Sequence, residues 1–191
     1  MARIVDTIKE DHRYIESCYD NVVKATDIDQ QTRWQNEFTW ALARHSIGEE
    51  LVVYPAFEQN LADGKALADK DRQEHQVVKE LLKKFQGLKA SDSEFLPTIK
   101  NLMENLSKHI KEEEEGDLPK LEGALDTAES QGLSTSFKRT KAFVPSRSHP
   151  SAPDKPPFET VIGLLTAPID HIADIFRKFP DEKISPNPST K

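Results

Sequence analysis

The sequence predicts an all-α fold: an up-down-up-down four-helix bundle followed by a Pro-rich C-terminal tail and one amphipathic helix. Three observations predict it. Apolar residues recur at spacings of three and four in four long stretches, no comparable stretch alternates with period two, and the connections are short. Composition agrees, with 36% apolar and 31% charged residues and only 7 glycines among 191. Residues 1–130 form the expected bundle, and residues 131–191 a short helix, a Pro-rich linker and the amphipathic helix.

The first helix is expected from Arg3 to Ala25, with Ile4, Ile8, Ile15, Tyr19 and Val22 on one side. The second starts near Asp29, read as its N-cap, and carries Trp34, Phe38, Leu42, Val52 and Ala56 towards Leu61, with a kink or break at Pro55. The third follows Asp63-Gly64, aligns Leu67, Val78, Leu82 and Phe85, and stops at Gly87. The fourth opens after Ser91-Asp92-Ser93 and carries Phe95, Ile99, Leu102, Leu106 and Ile110. Gly116 and Pro119 interrupt it, so Leu118 to Glu129 reads as a continuation after a break, with a short helix over 134–143. Nine of the 12 prolines lie after residue 140, and the stretch from Pro145 to Pro157 reads as extended. Val161, Leu164, Pro168, Ile172, Ile175 and Phe179 then form an amphipathic stripe, expected to pack on the bundle or on a second copy as a homo-oligomer.

Charge and cysteine content exclude other classes. A net charge of −7 argues against a nucleic-acid partner. The single cysteine, Cys18, excludes an intrachain disulfide framework. The charged start, Met1-Ala-Arg-Ile-Val-Asp6, lacks the apolar core of a signal peptide, and no apolar run approaches the ~20 residues of a membrane span. A cytoplasmic location is the resulting expectation.

The histidines carry the functional signal. His12, His45, His75 and His109 fall one on each helix, at nearly matched distances from the intervening turns. In antiparallel helices rising about 1.5 Å per residue, they reach nearly one height. Each occupies its helix's apolar stripe, so all four point inward, where unpartnered imidazoles are costly and a metal satisfies them. Glu49 and Glu113 follow His45 and His109 by four residues on the same faces. The second and fourth helices are diagonal in such a bundle, so the two carboxylates approach from opposite sides and can bridge a metal pair. Glu113 lies in the acidic run Lys111-Glu-Glu-Glu-Glu115, and only its register to His109 singles it out, since Glu114 points away. His149 and His171 fall outside the register and read as surface residues.

A single His, then His45-Ser-Ile-Gly-Glu49, a single His, then His109-Ile-Lys-Glu-Glu113 resembles the HHE cation-binding group of hemerythrin-like proteins. The stretches Glu49-Glu50-Leu-Val-Val-Tyr54-Pro55 and Glu112-Glu-Glu-Glu-Gly116-Asp-Leu-Pro-Lys120 are similar to that group's pattern as well, and the resemblance covers roughly residues 3–125. It implies a bundle around two non-haem iron ions with an oxo or hydroxo bridge. It makes His12, His45, His75 and His109 terminal ligands and Glu49 and Glu113 bridges. Oxygen-carrying members have a further histidine where this chain has Lys79, and a fourth-helix aspartate at i+5 is replaced by the i+4 Glu113. One iron is therefore expected to have an open or water-filled position, with Tyr54, Glu50 and Glu74 as alternatives for filling it beside ordinary roles in surface charge and helix-end packing.

Two functions follow from the resemblance. One is a site binding O2, NO or peroxide as sensor, carrier or iron/oxygen buffer. The other is a di-iron enzyme decomposing peroxide or activating O2 for oxidation of a small molecule. A structural zinc site is disfavoured because six ligands exceed one tetrahedral ion. No HExxH motif or phosphate loop occurs.

Overall fold

A computed structural model describes residues 2–151 and 158–181, and of 158–165 the backbone alone. Among the described residues the chain is helical and has no strand. Helix α1 spans Ile4–Lys24 and α2 spans Ile28–Gly48; α2 passes through a π-helical turn, Glu49–Val53, into α3, Tyr54–Asn60. Helix α4 is Gly64–Gly87. Helix α5, Phe95–Glu112, likewise passes through a π turn, Glu113–Asp117, into α6, Leu118–Ala124. Helices α7, Thr127–Phe143, and α8, Phe158–Ile175, follow.

Helix α1 packs on α2 and α5, and α4 packs on α2 and α5, so α2 and α5 stand diagonally. The apolar stripes build two clusters rather than one. Ile15, Val22, Phe38, Leu42, Leu82, Phe85 and Ile99 belong to one. Ile4, Ile8, Tyr54, Phe57, Leu118 and Phe137 belong to the other. Between them α1, α2, α4 and α5 each contribute a buried histidine, His12, His45, His75 and His109, and the two π turns contribute Glu49 and Glu113. A polar layer thus divides the core.

Several boundaries differ from expectation. The N-cap of α2 is Asp27, whose Oδ1 accepts the Gln30 backbone N–H at 2.9 Å, not Asp29. The breaks expected at Pro55 and near Pro119 are π turns: the N–H groups of Tyr54 and Leu118 reach back five residues to the carbonyls of Glu49 and Glu113. Proline cannot donate the next bond of an α ladder, and the wider turn accommodates it. The continuation stops at Ala124 instead of Glu129, and one 17-residue helix replaces the short one expected over 134–143. Its start is a capping box, with Asp126 accepting the Glu129 N–H and Glu129 accepting the Asp126 N–H.

Helix α7 packs beside α1 and α2. Phe137 is fully buried, Ser130 Oγ accepts the Ile4 N–H, and the Thr7 and Ser134 hydroxyls share a hydrogen bond. The close approach depends on Gly48, where a Cβ would stand 2.7 Å from the Phe137 ring. Residues 145–151 run without helix through bends and a turn, and Ser148 is held by Lys79 O and Gln86; residues 152–157 lie outside the described residues. The stripe expected on α8 is described only in part: Val161 and Leu164 lie outside the described side chains and Ile172 and Ile175 are exposed, while Asp170 and Asp174 of the same helix hold Ser146 and Arg147. His149 and His171 are half-buried rather than simply at the surface, bonded to Asp170 and to the Val144 carbonyl. No helix among the described residues is long and apolar enough to cross a membrane.

Candidate metal centre

The six residues singled out from the sequence come together in the polar layer, none more than 3% exposed. They form two histidine pairs. The His12 and His45 ring centres are 4.7 Å apart, edge to face, and His75 and His109 repeat that distance and attitude. Glu49 stands between the pairs. Its Oε1 lies 3.1 Å from His45 Nε2 and 3.8 Å from His12 Nε2, while its Oε2 lies 3.3 Å from His75 Nε2. Glu113 enters from the diagonal helix with Oε2 3.4 Å from His12 Nε2.

Every imidazole turns Nε2 inward because Nδ1 is engaged outside. His12 Nδ1 meets Glu114 Oε1 at 2.8 Å, and His45 Nδ1 meets Asp11 Oδ2 at 3.3 Å. His75 Nδ1 meets Glu50 Oε1 at 3.2 Å, and His109 Nδ1 meets Glu74 Oε2 at 2.9 Å. Each carboxylate is in turn held by a cation: Arg13 on Glu114, Lys141 on Asp11, Lys79 on Glu50 and Lys70 on Glu74. The supports close a ring. Asp11, beside His12 on α1, serves α2; Glu50, beside Glu49, serves α4. Glu74, beside His75, serves α5, and Glu114, beside Glu113, serves α1. Carboxylates behind metal-binding histidines set the tautomer and ring orientation and raise ligand basicity.

This geometry sorts the three alternatives for the extra position. Glu50 and Glu74 lie outside, on Nδ1 atoms, and Glu50 is fully buried rather than surface charge. The buried Tyr54 hydroxyl lies inside, 2.9 Å from His75 Nε2. Lys79 does not merely replace a ligand; it ties down the carboxylate that orients His75. Sequence reasoning missed the supporting roles of Asp11 and Glu114. A signal was present: an acidic residue adjoins a candidate ligand in each of the four segments.

Electrostatics separate the members of each pair. Burial drives His12 down to about 4 and lowers His109, the latter helped by the charge of His75. Burial would also lower His45 and His75, but Glu49 with Asp11 raises His45, and Glu49 with Glu50 raises His75 to about 9. Burial pushes Glu49 up, yet His45 and His75 hold it well below the usual carboxylate range. Burial and the neighbouring Glu49 charge push Glu113 well above that range. Burial and Asp117 likewise raise Asp71 to about 7.

Hydrogen bonding gives a direct test of whether a cation fits. His12 Nε2 and all four oxygens of Glu49 and Glu113 are buried without a hydrogen-bond partner. Buried polar atoms are rarely left so, and here both carboxylates and the imidazole nitrogens converge on one interior. Ligand atoms of His12, His45 and Glu49, and of Glu49, His75 and His109, fall within 4.8 Å of one another as two groups sharing Glu49. The donor set fits a pair of cations. A third group, Asp71, Glu74 and His109, lies beside the second.

Residues 3–121 match the hemerythrin HHE cation binding domain. The chain belongs to the hemerythrin HHE cation-binding family. An uncharacterised hemerythrin-like protein of Schizosaccharomyces pombe is 58% identical over 181 residues, covering 94% of this chain and 89% of that protein. The crystal structure of a hemerythrin HHE cation binding domain-containing protein from Mycobacterium kansasii superposes with a TM-score of 0.61 at 18% identity, covering 74% of this chain and 89% of that one. That likeness shows the fold of this hemerythrin-like chain.

Proposed function

We propose that the chain holds two iron ions through His12, His45, Glu49, His75, His109 and Glu113, and uses them to bind oxygen, nitric oxide or peroxide as a sensor, carrier or buffer. The observation that carries this reading is the placement of Glu49, one oxygen toward each histidine pair. Mixed imidazole and carboxylate donors suit iron. Two ferrous ions supply a reversible source of electrons to a small ligand. The protein's own part is to orient four Nε2 atoms, keep two carboxylates dry and admit little else. Because all six side chains are almost completely buried, the reading favours ligands of two or a few atoms over an organic substrate.

A second reading, peroxide decomposition, draws on Tyr54. Its hydroxyl beside His75 Nε2 can hold or donate a proton at the site. Stopped-flow mixing of the anaerobic ferrous protein with oxygen, nitric oxide and peroxide separates the two. Binding without turnover supports the first, and repeated consumption of peroxide the second. Optical spectra unchanged by all three would reject both.

A further inference from the structure

The six candidate ligands are almost completely buried, and a bare divalent charge is costly to carry through apolar packing. At three of the four supporting carboxylates the way in is closed by a direct ion pair: Arg13 on Glu114, Lys141 on Asp11 and Lys79 on Glu50. The fourth, Glu74, is held more loosely. Its cation, Lys70, stands 3.4 Å from Glu74 Oε1, 3.8 Å from Asp71 Oδ1 and 2.7 Å from Glu112 Oε2, so one half-buried ammonium is shared among three carboxylates.

Asp71 is the least satisfied of the three. It is 1% exposed, and both its oxygens are buried without a hydrogen-bond partner; among the described residues only Glu49 and Glu113 share that condition. Ligand atoms of Asp71, Glu74 and His109 fall within 4.8 Å of one another. Asp117, buried on the second π turn, adds its negative charge to that of Asp71. The cations nearby do not balance these acids. Arg72 turns to Glu58 and Asp69, Lys108 and Lys120 reach Glu112 and Asp117 from exposed positions, and burial lowers His109, so its ring adds no charge. Exposure also falls inward, from 38% at Glu112 through 26% at Glu74 to 1% at Asp71.

We propose that Asp71 and Glu74 form a third divalent-cation site, at which an ion sheds water before it passes to His109 and the centre. Carboxylate oxygens at a half-open mouth suit a hard, partly hydrated cation, whereas the imidazole-rich centre suits iron in its final seat. The Lys70 ammonium holds the place until the ion displaces it. The loading step rests on the two-ion reading of the centre; the outer site does not.

Manganous ion is the probe for the outer site, added to the full chain as purified and followed through the electron paramagnetic resonance signal of the free ion. One manganous ion per chain should bind at a site that Asp71→Asn weakens about tenfold or more. Lys70→Gln should tighten the same site, because the competing ammonium is gone. Asparagine keeps the shape of Asp71 and removes a buried charge, so the fold is retained, and a general disturbance would not move the two variants in opposite directions. Loading is read from uptake of ferrous ion, without air, by the chelator-stripped full chain: Asp71→Asn should fill about tenfold more slowly and reach the wild-type count. A wild-type chain that takes up no iron would reject the two-ion reading and the loading step with it, while the manganous ranking still decides the outer site. Equal manganous affinity in the three chains, uptake by Asp71→Asn at the wild-type rate, or a lower final iron count in that variant, which would make Asp71 a ligand of the centre itself, would overturn the proposal.

Discussion

At the scale of single residues, the centre depends on a relay between neighbouring helices. A carboxylate next to a candidate ligand on one helix orients the histidine of the next, and a cation steadies the carboxylate. Neutralising one support leaves all six candidate ligands present but removes the fixed tautomer of one histidine. Asp11→Asn, Glu50→Gln and Glu114→Gln should each lower metal affinity by about 10- to 100-fold with the helices intact. Competition with a chelator, followed by circular dichroism of the same samples, measures both. Replacing a candidate ligand itself is more severe: His45→Ala or His109→Ala should lower metal content outright and destabilise the bundle, since the remaining donors stay buried without full compensation. Elemental analysis of the purified variants checks this.

The same relay shows what a sequence can and cannot reveal. His12, His45, His75 and His109 were legible because helical spacing fixes a face and the turns fix a height. Glu49 and Glu113 were legible as the i+4 positions of two of them. Asp11 and Glu114 were not, because each acts on another helix, and which helix stands beside which is a property of the packed molecule. Tyr54, Glu50 and Glu74 could be named together but not ranked until the hydroxyl was seen inside and the carboxylates outside.

At the scale of elements, two glycines do different work in positioning the centre. A Cβ at Gly64 would lie 1.8 Å from the Phe57 carbonyl oxygen, where α3 turns into α4 and backbone must move. At Gly48 the obstacle is the Phe137 ring, a side chain on α7, with Lys141 Cγ next at 3.3 Å. Gly64→Ala should therefore cost more than Gly48→Ala, for which overpacking of about 1–3 kcal/mol is partly offset by about 1 kcal/mol of helix propensity. Phe137→Ala, which empties a fully buried site touching the His45 ring, should cost about 3–5 kcal/mol. Urea denaturation of the three variants orders them. The π turns explain why the proline positions were visible in the sequence and their consequence was not. Pro55 and Pro119 announce an irregularity, but a kink, a break and a widened turn are equally open to a single sequence. The start of α7 carried the readable signature Asp126-Thr-Ala-Glu129, and apolar periodicity alone passed over it.

At the scale of the whole molecule, the polar layer between two apolar clusters makes the bundle sensitive to what fills its centre. Any ion bound by the folded chain and not by the unfolded one stabilises it by about 4 kcal/mol at a free concentration one thousand times its dissociation constant. Stripping metal with a chelator should accordingly lower the thermal midpoint by several degrees, and restoring ferrous ion without air should raise it again. A midpoint indifferent to both treatments would mean that the buried carboxylates and imidazoles are satisfied without a cation. The proposed function stands on a pair of ions, and plasma emission on freshly purified wild-type protein, prepared without air, counts them directly. Two metal ions per chain, chiefly iron, is the predicted result; one ion or none would contradict it.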